Sequence, residues 1–105
     1  MKYIYKFLSE KDWEQFQNDG HFQGSTLDLN DGFIHCAYEH QLGYIFQKYF
    51  KNEQKIFLLK LNIFAFSPKV KVLEELSSHG EKFPHIYGFI ALDSVAEAKF
   101  YDDYL

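Results

Sequence analysis

One cysteine, Cys36, stands in the 105 residues, so no disulfide can close within the chain, and a lone thiol suits the reducing cytosol in which the protein is expected to work. Uninterrupted apolar stretches are short. The longest, Ile56-Phe57-Leu58-Leu59 and Ile63-Phe64-Ala65-Phe66, fall far below the roughly 20 residues of a bilayer span, so no membrane segment is expected. Met1-Lys2-Tyr3-Ile4-Tyr5 opens on a strand-like alternation without charged leader, apolar stretch or cleavage site, and no export signal is expected. Concentrated positive charge is also missing: the net charge is −4 and the two signs are interspersed. That argues against extended DNA or RNA binding, which neutralises many phosphates at once. A nucleotide-sized ligand survives the argument, because it needs only one or two cations or some backbone N–H groups. No Gly-x-Gly-x-x-Gly, Gly-x-x-x-x-Gly-Lys-Ser/Thr or Gly-x-Ser-x-Gly occurs, so the dinucleotide fingerprint, phosphate loop and hydrolase elbow are unsupported.

What is present is aromatic. Hydrophobic residues make up 47% of the chain and aromatic ones 20%, enough for one core built from large rigid rings and too little for two, so residues 1–105 are read as a single domain. Tyr3 to Leu8 predicts a first strand. Ser9 then caps a helix with acidic residues in its first turn and Trp13 and Phe16 on one face, stopped by Asn18-Asp19-Gly20. His21 to Asn30 is irregular, with Gly24-Ser25-Thr26 suggesting a segment that closes over something. Asp31-Gly32 reads as a turn and Phe33-Ile34-His35-Cys36 as a short strand with His35 and Phe33 on one face. Leu42, Ile45, Phe46, Tyr49 and Phe50 fall at helical spacing and predict one buried stripe. Lys55 to Ile63 predicts a central strand, Val70 to Glu75 another, and Ala96 to Tyr101 a half-exposed last one. The order predicts an α+β fold: two helices on a mainly antiparallel, curved or split sheet.

Three motifs carry polar groups in apolar surroundings. His35 must hydrogen-bond inside the fold or face a cleft. Glu75 shares a face with Leu73 and points inward if that face is buried. In Phe83-Pro84-His85-Ile86-Tyr87-Gly88 the proline restricts the backbone, the glycine releases it, and His85 and Tyr87 lie on one face, expected to look towards the Phe33-Ile34-His35 strand as a cleft wall; the bland reading is a rigid turn with a buried tyrosine. A metal site is not expected. His35 and Cys36 are adjacent in a strand and face opposite ways, and His40, His79 and His85 stand at no metal-ligand spacing. Cys36 in an apolar strand has no local reason to be a thiolate.

Ile4-Tyr5-Lys6, Trp13, Gly24-Ser25, Leu27-Asp28-Leu29, Asp31-Gly32-Phe33-Ile34-His35-Cys36, Gln41, Glu75 and Phe83-Pro84-His85-Ile86-Tyr87-Gly88 together resemble the bacterial family catalogued as domain of unknown function 952. The resemblance implies a fold like that of the ADP-ribosyltransferase superfamily, which includes NAD-using tRNA 2′-phosphotransferases. By that likeness the polar ribose-holding position falls on Lys6, the second strand contact on His35, and the third on or near Glu75. Lys6 stands where the family usually has histidine, and Ala37 where serine is common. Together with the polar residues that converge from the separate motifs, the expected site has Glu75 and His35 as catalytic residues and Lys6, Ser25, His85 and Tyr87 as substrate contacts, with NAD as a candidate substrate and no metal. The implied activity is ADP-ribosyl or phosphoryl-ribose transfer; the alternative is a non-catalytic module binding a small molecule or a protein through the same cleft.

Overall fold

The computed structural model describes residues 2–52, 55–78 and 80–101. It is α+β, with mostly antiparallel strands and short helices. In chain order the elements are β1 (Tyr3–Ser9), α1 (Glu10–Asp19), β2 (His21–Phe22), α2 (Thr26–Asp31), β3 (Ile34–His35), α3 (Leu42–Ile45), β4 (Ile56–Asn62), β5 (Lys71–Leu76), β6 (Lys82–Tyr87), β7 (Ile90–Ala91) and β8 (Val95–Phe100), with single 3-10 turns between some of them.

The sheet is split into orders β1-β4-β8, β2-β7 and β3-β6-β5. β4 is central because both of its faces are apolar: Leu59 and Leu61 join Ile4 and Leu8 beneath Phe16 of α1, while Ile56 and Leu58 join Tyr5 and Phe7 on the other side with Leu42 of α3. Each such aliphatic chain, fully withdrawn from water, contributes about 1.5–3 kcal/mol. The split has a local cause at Pro84. The Pro84 carbonyl accepts from Cys36 N at 3.1 Å, but proline has no N–H to return, so the β3–β6 ladder ends there. One residue on, Ala37 exchanges two 2.8 Å backbone bonds with Tyr5 and passes the chain to the edge of β1.

Several sequence expectations hold. Ser9 Oγ accepts from Asp12 N, Gly20 closes α1 in the left-handed conformation, and Phe16 is buried. Others change. The stretch expected to be irregular contains β2 and the six-residue helix α2, so the described residues hold three α-helices where two were expected. The stripe expected over residues 42–50 breaks because α3 runs into a π-helical turn, Phe46–Phe50, whose wider spacing turns Tyr49 out of the core to 54% exposure. The Phe83–Gly88 motif, whose bland reading is a rigid turn, instead has its first five residues in β6, the middle strand of its sheet. His79 and the residues after Tyr101 lie outside the described residues.

Candidate functional site

Two histidine–carboxylate pairs meet across the β3–β6 ladder. Opposite residues of an antiparallel pair share a face, and the register sets Ile34 against Ile86 and His35 against His85. The isoleucines enter the core, so both imidazoles point the other way. On β5 the register sets Glu75 opposite Phe83 and Leu73 opposite His85, which gives Glu75 the same face as His85 and Tyr87.

The first pair is built around Asp28. Gly24 (φ +132°) brings the chain to Ser25, the N-cap of α2, whose hydroxyl accepts from Asp28 N at 3.3 Å while Asp28 Oδ2 accepts from Ser25 N at 2.9 Å. This reciprocal cap turns the Asp28 carboxylate inward, where it is only 2% exposed. There it also accepts from His35 N at 3.0 Å and binds His35 Nδ1 at 2.6 Å and Lys6 Nζ at 2.9 Å. The other ring nitrogen of His35 meets Asp31 at 2.9 Å. Burial alone would raise the Asp28 pKa, but the His35 ring, the Lys6 charge and the two backbone N–H groups outweigh it and hold the carboxyl well below the usual range.

The sign of the linkage follows. A carboxyl more acidic in the folded than in the unfolded chain contributes stability that is complete above the ordinary aspartate pKa near 4 and is lost as pH falls through the folded value. Urea midpoints should therefore drop steeply below about pH 4, and Asp28→Asn should flatten that limb. Identical acid limbs in the two proteins would remove Asp28 as the cause.

In the second pair Glu75 Oε1 accepts from Tyr87 Oη at 2.5 Å and faces His85 Nδ1 at 2.8 Å. The Tyr87 and His85 hydrogen bonds lower the Glu75 pKa, and the same bond raises that of Tyr87. Phe33 lies flat on the His85 ring, centroids 3.9 Å apart at 20°, and is 4.6 Å from the His35 ring; the two imidazoles are 5.8 Å apart. Burial pushes the Cys36 thiol up to about 12, which removes it as a nucleophile near neutrality.

The Asp28–His35 pair and His85 of the second pair edge a cleft of about 730 Å³ between β1, α2, the third helix and the start of β6. Lys6, Ser25, His35 and His85 line it, with Asp28, Asp31 and Phe33 beside them. Tyr44, Tyr49, Phe50 and Phe83 form its aromatic walls. Glu75 and Tyr87 do not line it; they stand behind His85. Lys6 is present but its ammonium is paired with Asp28, and the Ser25 hydroxyl caps α2. Sequence reasoning missed Asp28 and Asp31 as site residues. The available signal was Ser25-x-x-Asp28, the spacing of a capping box, directly before the Phe33–Cys36 strand.

Among solved structures, the chain is similar to CC0527 from Caulobacter crescentus. Two crystal structures, one of a double mutant, share 32% identity with it over 95% of this chain and 86% of that one, with a TM-score of 0.84. A solution structure of CC0527 gives 0.81 over 97% of this chain. No curated protein matches the sequence. Residues 7–98 match the family described as protein of unknown function DUF952, and the chain belongs to that family.

Proposed function

We propose that this domain binds NAD or a related nucleotide in the cleft, gripping it by a nucleoside end. The observation that carries the reading is a cleft of ligand size, about 730 Å³, with aromatic walls for a flat ring and two imidazoles at one end for ribose or amide groups. The ADP-ribosyltransferase likeness suggests the catalytic form of this reading. As the bond from the anomeric carbon to nicotinamide breaks, the electron pair leaves with nicotinamide, a carboxylate stabilises the positive charge left on the sugar, and an acceptor hydroxyl or water then bonds to that carbon and gives up its proton to solvent. His35 would orient the ribose. Glu75, the carboxylate expected from the resemblance, reaches a ligand only through His85, whereas Asp31 lines the cleft beside His35.

One observation favours the non-catalytic form. The charged groups at the polar end engage one another: Lys6 and His35 hold Asp28, and His85 and Tyr87 hold Glu75. Thermal unfolding with NAD separates the cases. A ligand at a hundred times its dissociation constant stabilises by about 2.7 kcal/mol, and Phe33→Ala should abolish that gain. Stabilisation with nicotinamide release marks a transferase, and stabilisation without release a binding module. No response to NAD, nicotinamide mononucleotide or nicotinamide riboside would sink the nucleotide reading in both forms.

A further inference from the structure

The cleft's charges do not suit phosphate. The chain has no arginine, and so no bidentate guanidinium clamp. Among the described residues Lys6 is the only lysine lining the cleft, and its ammonium is 2.9 Å from a buried carboxylate. Asp12, Asp28 and Asp31 line the same space, and both nitrogens of His35 face carboxylates. The Asp28 N–H in the first turn of α2 is taken by Ser25. A phosphate placed inside the cleft would meet negative potential with no free cation among the described lining residues to offset it, so the phosphates of a nucleotide gripped by its nucleoside end would have to lie outside.

What the polar end offers instead is an acceptor. His85 is 8% exposed and its Nδ1 faces the Glu75 carboxylate; in the neutral tautomer that donates there, Nε2 carries a lone pair. Nε2 has no partner among the described residues, yet no buried side-chain nitrogen or oxygen among them lacks one. It is therefore not fully enclosed, on a residue that lines the cleft.

Resting on the nucleotide reading above, we infer that the cleft selects the phosphate-free form of its ligand: a nucleoside, neutral or cationic, that donates an amide N–H or ribose hydroxyl to His85 Nε2, in preference to the corresponding nucleotide. Glu75 and Tyr87 are positioning residues that fix the His85 ring.

Calorimetric titration of nicotinamide riboside, nicotinamide mononucleotide and NAD at low salt tests this. The riboside should bind at least about tenfold more tightly than the mononucleotide, and Asp31→Asn should shrink that ratio towards one. Mononucleotide or NAD binding as tightly as the riboside overturns the inference and leaves nucleotide binding standing. An unchanged ratio in Asp31→Asn also overturns it, because the discrimination would not arise from the cleft's charge. Binding of none of the three overturns the nucleotide reading itself.

Discussion

Asp28→Asn is expected to lower the unfolding free energy by about 3–5 kcal/mol, the range for breaking a buried ion pair from one side. The substitution keeps the shape and removes the charge. Lys6, 7% exposed on β1 between Ile4 and Leu8, would then hold an ammonium in the core with no counter-ion. The new amide would also point N–H groups at donors, since Ser25 N, His35 N, His35 Nδ1 and Lys6 Nζ all converge on the carboxylate. For a domain near 100 residues each kcal/mol moves the midpoint by about 4–8 °C, so the melt should fall by more than about 12 °C. Adding Lys6→Met to Asp28→Asn should recover part of the loss, because the stranded charge goes with it. A single Asp28→Asn variant within about 1 kcal/mol of the parent would show that the cluster does not hold the site together.

The second large effect is expected at Gly24. Its φ of +132° is a conformation that side chains rarely adopt, and an added Cβ would sit 2.9 Å from the Asp28 Cβ. Relief requires moving either the backbone or the residue on which the polar cluster depends. Gly24→Ala should therefore cost about 2–3 kcal/mol by urea melts, against a few tenths for an ordinary surface change. It should weaken cleft binding as well, since His35 is held through Asp28. A neutral outcome would place the start of α2 outside the determinants of the site.

The parts of the fold that the sequence announces are those with long apolar runs or complete end signals. β1 and β4 are seven-residue strands whose apolar runs are each interrupted by a single lysine, and α1 carries its cap, its apolar pair and its stop within a dozen residues. α2 was hidden because six residues barely exceed one helical turn and its leucines, Leu27 and Leu29, are exposed, so no buried stripe marks it. Tyr49 misled for the opposite reason: its spacing fits an α-helix, but the backbone there is π-helical. Proline is ordinarily excluded from a middle strand, and the ladder's termination at Cys36 explains how β6 tolerates Pro84.

The site was partly legible on the same terms. His35, His85 and Tyr87 could be set on common faces by strand alternation, and Glu75 by its spacing from Leu73. Long-range pairing could not be read: Lys6 and Asp28 are 22 residues apart, and nothing local links a lysine on one strand to an aspartate on a later helix. His85 has a second role besides lining the cleft. Stacked on Phe33 and bonded to Glu75, it supports the fold as well as the cleft, so His85→Ala should reduce stability together with affinity.

The measurement that bears most directly on the cleft as the binding site is a titration of the ¹⁵N-labelled protein with nicotinamide riboside, followed by amide and imidazole resonances. Shifts are expected to concentrate at Phe33, His35, Tyr49, Phe83 and His85, with the His85 Nε2 resonance moving most among the ring nitrogens and the amides of β8 unmoved. Shifts centred on β8 or on the β2–β7 pair, with His85 Nε2 unchanged, would contradict the assignment to the cleft.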